Sequence, residues 1–579
     1  MKNLNLLVSC LSAFLLVSPF SRAQNVDVIC TTDVHGAIFD YDFVTDTTAS
    51  ASMSKVYSFV KAVRDSSDNV ILLDNGDFLQ GSPAVYYYNY IDTLSLHVTA
   101  RIFNLMNYDA VNIGNHDIEA THNVYDKIVR QVNAPVLGAN VIRKSNKQPY
   151  FKPYVVLERA GKRIVVLGLT TPYIPHWLPE VFWSGMEFND MIESAQYWMD
   201  YIKKNENPDA VIGLFHSGFN YEYGNQNADT YKNENASVLV GQRVEGFDAL
   251  LIGHDHRINN TKVTTPSGRQ IPLLDAGFAA RTVACLRLSW NADGKLNCDG
   301  RLVATANLKS SSEYDDALMP QFLTVKAFSR KVIGNVAQPV FACESLMGSS
   351  PFVDVVHSTM LRHTGADISF SAPLLINTVI PAGPFKVGRL FSLYRYENTL
   401  CVMRLSGREV KNYLEYSYNL WVANPKKNDG HVLLFERKGR LKNNYYNLDS
   451  AAGIVYTVDV TADYGSRVNI ISMADGSKFD PDKSYRVAIN SYRANGGGGH
   501  LEHGAGIPFD QIQSRIVSHD TRDLRRLIMQ DFISQSESGA SLDFKALGQW
   551  KFVPENVVSS PLKSDVNQFR GSGNAYFVK

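Results

Sequence analysis

Short β-rich runs recur through the first half of this sequence, and most of them end in a polar cluster. Val26–Thr31 leads into Asp33-Val34-His35-Gly36, and Val70–Leu73 into Asp74-Asn75-Gly76-Asp77. Ala110–Ile113 is followed by Gly114-Asn115-His116-Asp117, Ala210–Phe215 by His216, and Ala249–Ile252 by Gly253-His254-Asp255-His256. A sixth run is Arg163–Leu169, and segments of helical period such as Ser54–Arg64 and Ile192–Lys204 lie between several of the runs. Alternating strands and helices predict an α/β or α/β/β layered core. In such sheets ligands gather at the carboxyl ends of the strands. Five strands would therefore deliver Asp, His, Asp, Asn, His, His and His to one rim.

Each motif alone has a plain reading, since an Asp-x-His or Gly-His-x-His at a strand end is more often a turn than a ligand. Five in order are different. Packing gives no reason to put imidazoles and carboxylates at the end of strand after strand, whereas divalent metals demand convergent nitrogen and oxygen donors.

At 579 residues the chain is too long for one core and predicts two domains. Its 45% hydrophobic and 20% charged residues exclude disordered and fibrous classes. Lys plus Arg (57) equals Asp plus Glu (57), which disfavours a partner held through a nucleic-acid backbone and leaves small ligands. Ser310-Ser311-Ser312-Glu313 reads as a helix cap, so Tyr314–Val332 is expected as a helix inside a linker, 311–335, that joins a first unit, 24–310, to a second, 336–579. In the second unit, strands are expected at Leu400–Leu405, Val455–Val460 and Tyr485–Ile489, and helices at Val353–His363 and Arg408–Tyr418. The apolar run Leu4–Phe20, after Lys2 and before Ser21-Arg22-Ala23, reads as a secretory signal peptide, 1–23. A lipoprotein reading of Leu7-Val8-Ser9-Cys10 is weaker, because only about six residues precede Leu7. No later run approaches the ~18–20 apolar residues of a membrane span. The other five cysteines form neither a disulfide framework nor a zinc knuckle; a Cys285–Cys298 bridge is open, but buried thiols are the favoured reading.

The order Asp-x-His, Gly-Asp, Gly-Asn-His, His, Gly-His-x-His resembles the calcineurin-like metallophosphoesterases. The resemblance implies a layered domain over 24–310 holding two divalent metals. Asp33, His35 and His256 would hold one, Asn115, His216 and His254 the other, and Asp77 would bridge them. Two cations ~3.5–4 Å apart bridge a phosphoryl group, generate hydroxide at neutral pH and offset the charge of in-line attack. Such ligands suit Zn, Mn, Fe or Co without choosing among them. His116 is expected to give a proton or hydrogen bond to the phosphoryl or leaving oxygen. The carboxylate that orients it is open between the adjacent Asp117 and Glu119, which stands where the nucleotidase branch often has Asp.

Two stretches of the second unit stand out: Tyr394-Arg395-Tyr396-Glu397-Asn398-Thr399-Leu400, and Asn490-Ser491-Tyr492-Arg493-Ala494-Asn495-Gly496-Gly497-Gly498-Gly499-His500. Rings beside glycines can sandwich a nucleobase. With 29 tyrosines in the chain, however, composition alone favours a flexible turn. The chain as a whole is similar to exported nucleotidases that join a metallophosphoesterase domain to an α/β C-terminal substrate domain. Within them it resembles the 2′,3′-cyclic-nucleotide 2′-phosphodiesterase/3′-nucleotidases, through Asp33–Gly36 with Tyr41-Asp42-Phe43, Leu73–Asp77, Ile380-Pro381-Ala382-Gly383-Pro384, Tyr394–Leu400 and Tyr492–Gly498. By that resemblance Tyr396 and Tyr492 clamp the base, Asn398 lies beside them, and Tyr492, Arg493, Ala494, Asn495, Gly496 and Gly497 line the pocket. Two positions depart from the 5′-nucleotidase branch: Asn377 replaces an arginine, and Gly498 replaces an Asp that partners the ribose hydroxyls.

The resemblance therefore implies a periplasmic monomer that acts on a small nucleotide. A metal-bound hydroxide would open 2′,3′-cyclic phosphates and hydrolyse 3′-nucleotides, with His116 assisting. In this family the two domains rotate, which would put the hinge in or beside Tyr314–Val332. A 5′-nucleotidase or UDP-sugar hydrolase is the first alternative. A non-catalytic nucleotide-binding surface protein is the second, and the complete ligand set argues against it.

Overall fold

Alternation along the strands decides the layering. Val26, Val28 and Cys30 face one apolar core while Ile29 faces another, and Ile71 and Leu73 likewise divide from Val70 and Leu72. In the partner sheet Ile164, Val166, Ile212 and Leu214 join the first core, whereas Val165, Leu167, Val211 and Phe215 turn to a third. Strands with both faces apolar must be covered on both sides. The computed structural model, which describes residues 24–436 and 439–570, covers them with two sheets packed face to face and helices outside each. The segment read as a signal peptide, 1–23, lies outside the described residues.

The first sheet runs in the order Leu296–Ala304, Thr282–Trp290, Gln24–Thr31, Val70–Asp74, Ala110–Asn112, Val136–Leu137, and its last four strands are parallel. The second runs Ile258–Thr264, Gln270–Ala276, Ala249–Ile252, Ala210–His216, Lys162–Thr170, Tyr154–Arg159, with a parallel centre. The parallel strands of both sheets thus end on one rim. There Asn112 Nδ2 donates to the carbonyls of Leu169 and Leu214 at 2.7 and 3.1 Å and to Asn75 Oδ1 at 3.1 Å, while Asn75 Nδ2 donates to the Phe215 carbonyl at 2.9 Å. These bonds lock the two sheets together directly beneath the polar clusters.

The helix Ser312–Arg330 starts where the Ser311 hydroxyl accepts from the Tyr314 amide, and it buries Tyr314, Leu318 and Val325 against the first unit. It stops two residues before the expected end because Val332 opens the strand Val332–Val336. Beyond it, a five-stranded sheet runs Ser450–Ala452, Ile368–Ser371, Ser484–Asn490, Thr399–Ser406, Ile516–Asp523. The helix Gly407–Trp421 packs on one face, and Pro351–Thr364 and Leu524–Glu537 on the other. A smaller sheet joins Val468–Met473, Ile454–Asp459 and Trp550–Val553.

Cys30, Cys285, Cys298, Cys343 and Cys401 are all free thiols. The possible Cys285–Cys298 bridge is not formed, because the hairpin register sets Cys285 opposite Arg301 and Cys298 opposite Leu288. Among the described residues no helix is long and apolar enough to cross a membrane.

Candidate metal centre and nucleotide pocket

At the shared rim two donor groups form. Asp33, His35 and His256 make one, Asp77, His216 and His254 the other, and the donor atoms of each lie within 4.8 Å of one another. His35 Nε2 is 2.9 Å from His256 Nε2, which is 3.4 Å from Asp33 Oδ1. His216 Nε2 is 3.0 Å from Asp77 Oδ2, and Asn115 Oδ1 is 3.1 Å from His216 Nε2 and 2.9 Å from His254 Nδ1. All seven residues expected as ligands are thereby brought together.

Outer partners decide which nitrogen faces inward. A carbonyl or carboxylate oxygen can only accept, so His35 Nδ1–H donates to the Gln80 carbonyl at 3.2 Å and His216 Nδ1–H to the Asn75 carbonyl at 2.7 Å. His254 Nε2–H donates to Glu234 Oε1 at 3.2 Å. Each ring is left presenting a lone pair to the centre, the arrangement that metal-ligating histidines use. Gln80, Asn75 and Glu234 escaped the sequence reading: two act through the backbone, and Glu234 lies in a loop far from any motif.

The backbone is strained where the donors sit. Asp33, His35, Asp77, His254 and His256 adopt φ of 48, 50, 58, 81 and 58°. Left-handed conformations in non-glycine residues cost about 1–3 kcal/mol each and collect at functional sites. A turn with no chemical duty would use Gly or Asn at such positions. The glycines of the motifs have a different reason. A Cβ on Gly114 would lie 2.2 Å from Asp77 Oδ1, and one on Gly253 would lie 2.1 Å from Thr32 Oγ1 and 2.5 Å from Asp33 Oδ2.

Burial raises the carboxyl pKa values of Asp33 and Asp77, but the facing imidazoles, His216 foremost, outweigh it and hold both below the usual range. Burial and then the neighbouring His256 push His35 down to about 3. Burial also opposes a charge on His216, yet Asp77 and Asp33 lift it to about 10. Asp77 Oδ2, though buried, has no hydrogen-bond donor. The His216 nitrogen beside it becomes one only by taking a second proton. Two buried carboxylates thus attract positive charge that the chain itself supplies only by protonating the neighbouring imidazoles. Convergent oxygen and imidazole donors of this kind fit a pair of divalent cations.

His116 stands beside the donors on the short helix Asn115–Glu119, its ring centre 5.4 Å from that of His35. Its Nδ1 lies 2.5 Å from Glu119 Oε2, one turn along. Burial works against the imidazolium, but Asp77 and Glu119 overcome it and carry the pKa to about 9. Asp117, the other candidate, does not touch the ring. Its carboxylate accepts from the amides of Asp77, Phe78, Leu79 and Gly114 at 2.8–3.0 Å, which fixes the Asp77 loop against the Asn115 helix.

In the second unit Tyr396 and Tyr492 are partly exposed; the Tyr396 ring meets that of Tyr446 edge-on at 6.3 Å, and Tyr492 and Tyr223 of the first unit lie near enough to Tyr446 to act on it electrostatically. The Tyr492 ring lies flat on the glycine loop, where a Cβ on Gly497 would be 2.6 Å from the ring; Gly496 reaches φ 99° in the same turn. The remaining residues expected to line the pocket turn inward. Arg493, 2% exposed, makes a bidentate pair with Asp449 at 3.0 Å and donates to the carbonyls of Tyr446 and Gly497. Ala494 is in the core, and Asn495 bonds Ser491 and Gln513. Asn398, also buried, donates to the Tyr394 hydroxyl at 3.4 Å and accepts from the Leu524 amide through its carbonyl. Their side chains are scaffold for the loop, because a buried guanidinium and amides must satisfy their hydrogen bonds internally.

The two sites adjoin. Glu234, the partner of His254, is among the charges acting on Tyr492 and Tyr223. Alongside, Tyr173 and His176 stack at 3.8 Å, and His176 stacks at 4.2 Å on Phe509 of the second unit, which packs against Gly496.

Residues 26–257 match the family model described as calcineurin-like phosphoesterase, and residues 332–503 match the 5′-nucleotidase C-terminal domain. The chain is 24% identical to a 2′,3′-cyclic-nucleotide 2′-phosphodiesterase/3′-nucleotidase of Haemophilus influenzae, over 91% of this chain and 87% of that protein. It is 25% identical to the trifunctional nucleotide phosphoesterase protein YfkN of Bacillus subtilis, over 94% of this chain and 40% of the longer protein. The solved structure of a Staphylococcus aureus chain assigned as a 5′-nucleotidase has the same fold, with a TM-score of 0.76 at 22% identity over 91% of this chain and 99% of that one.

Proposed function

The chain carries a calcineurin-like phosphoesterase domain followed by a 5′-nucleotidase C-terminal domain, and on that premise we propose that it hydrolyses ribonucleoside 2′,3′-cyclic phosphates and 3′-nucleotides. The observation that carries this reading is the pair of strained donor groups flanked by His116–Glu119 on one side and the tyrosine group on the other. When bound, two divalent cations polarise the phosphoryl oxygens and offset the charge that builds during in-line displacement. Asp33, His35 and His256 would hold one, Asn115, His216 and His254 the other, and Asp77, between the two groups, would bridge them.

The chain's own residues do the rest. Tyr396 and Tyr492 hold the base, with Tyr446 and Tyr223 completing the wall. The phosphate then lies towards Glu234 and the metal ligands. Water adds to phosphorus and gives up one proton, the bond to the 2′ oxygen breaks, and His116 gives that oxygen its proton and regains one from solvent to match the proton that water lost, leaving a 3′-phosphate. In a second round the bond to the 3′ oxygen breaks in the same way, releasing nucleoside and phosphate. Glu119 holds the His116 ring so that Nε2 carries the proton in transit.

Gly498 favours the cyclic and 3′ substrates over 5′-nucleotides. A Cβ there would lie 2.4 Å from the Arg493 guanidinium and 2.6 Å from Asn447 Oδ1, so this position offers no acid to free ribose hydroxyls. That suits a substrate whose 2′ and 3′ oxygens are esterified. The apolar segment Leu4–Phe20 supports export to the periplasm, testable by sequencing the mature N-terminus, expected at Gln24.

Initial rates on one metal-reconstituted preparation test the substrate reading. Cyclic 2′,3′-AMP and 3′-AMP are expected to exceed 5′-AMP by about tenfold or more, ~1.4 kcal/mol in transition-state binding. Faster turnover of 5′-AMP would overturn the reading in favour of a 5′-nucleotidase.

A further inference from the structure

A cavity of about 370 Å³ lies where three parts of the chain meet, and it shares no residue with the metal centre or the tyrosine pocket. Phe43, Val44 and Asp46 come from the first unit, Ser329 and Arg330 from the last turn of the helix Ser312–Arg330, and Pro381–Arg389 from the second unit. The junction is tightly built. The Val387 amide donates to the Lys331 carbonyl at 3.0 Å, and a Cβ on Gly388 would lie 2.5 Å from the Phe43 carbonyl.

Its charge is unbalanced. Arg330 Nε and Lys386 Nζ share one carboxylate, Asp46, at 2.9 and 3.3 Å. Arg389 also lines the cavity, and no carboxylate among the described residues pairs with it. Three cations therefore face a single anion. A second observation points the same way. Ser329 is 2% exposed, lines the cavity, and its hydroxyl has no hydrogen-bond partner. Buried hydroxyls in folded proteins are normally satisfied, so an orphan at the edge of a cationic cavity marks the place of an acceptor.

We propose that this cavity binds a small phosphate-bearing anion, inorganic phosphate or a phosphate monoester. Arg389 and Lys386 supply charge-assisted donors and Ser329 a neutral one. Phe43, Val44 and the prolines form the apolar wall beside them. Because its lining comes from both units and the helix between them, an occupant would tie the two units together at this seam.

Titration calorimetry with inorganic phosphate, on the metal-loaded protein and on Arg389→Ala, tests this. Phosphate also binds a dinuclear centre, so the informative quantity is the site that the substitution removes. Wild-type protein is expected to show one phosphate site that weakens at least about tenfold in Arg389→Ala and also in Ser329→Ala. Turnover of a small aryl phosphate should stay within about twofold in both variants, since neither residue touches the metal centre. An isotherm unchanged by Arg389→Ala would overturn the proposal, whatever the metal centre does. Loss of every phosphate site together with turnover would overturn it too, because the cavity would then not be separate.

Discussion

His116 Nδ1 and Glu119 Oε2 lie 2.5 Å apart on one turn of a five-residue helix, and the same helix begins with the donor Asn115. One local element therefore holds both a candidate metal donor and the ring that would deliver a proton, so their separation is set by helix geometry. Glu119→Gln keeps the length but removes the charge. Turnover is expected to fall by about 10–100-fold, and by ~10²–10⁴ in His116→Ala. Bound metal should be unchanged in both, which elemental analysis checks. Metal loss in either variant would make these residues ligand supports instead.

Glu234 fixes the tautomer of His254 from a loop outside every motif. Outer partners of metal-bound histidines are worth about 10–100-fold in metal affinity. Glu234→Gln should weaken metal retention by that factor in a chelator competition while leaving the fold intact by circular dichroism.

The Tyr492 ring is laid against Gly497, and it is not among the residues of either donor group. Tyr492→Ala should lower kcat/KM for nucleotides through KM, in proportion to a lost base stack of ~1–3 kcal/mol. A small aryl phosphate should be hydrolysed at the wild-type rate. Equal loss on both substrates would contradict the base-clamp assignment.

His97 and His357 are fully buried, one in each unit. His97 Nε2–H donates to Asn89 while its Nδ1 accepts from the Thr99 amide, and His357 bonds Ser369 and Ser450. Burial lowers both pKa values to about 3, from about 6.5 in the unfolded chain. Below pH 6.5 the unfolded state takes up protons that the folded state refuses. Stability is thus complete above about pH 6.5 and falls towards pH 3 by ~1.4 kcal/mol per pH unit for each ring. Urea unfolding at pH 7, 6 and 5 should show this decline, reduced by about one proton in His357→Gln. A flat profile between pH 6.5 and 5 would contradict it.

The strands and the convergence of the seven donor residues were legible because each lies within a few residues of the end of a hydrophobic run, and a strand end is a place that a sequence can specify locally. The role of Asp117 was not, because three of its four amide partners belong to a loop about 40 residues away. Arg493 and Asn495 were expected as pocket lining by the family resemblance, yet Asp449 and Gln513 draw their side chains inward. Tyr223 and Tyr446 join the pocket only through the meeting of the two units, which no local pattern encodes.

Elemental analysis of purified, active wild-type protein beside Asp77→Asn bears most directly on the dinuclear centre. About two equivalents of divalent metal per chain are expected in the wild type, and fewer than one, with activity abolished, in Asp77→Asn. Full activity with one equivalent or none, or an Asp77→Asn variant that keeps both metals and its turnover, would contradict a two-cation centre joined through Asp77.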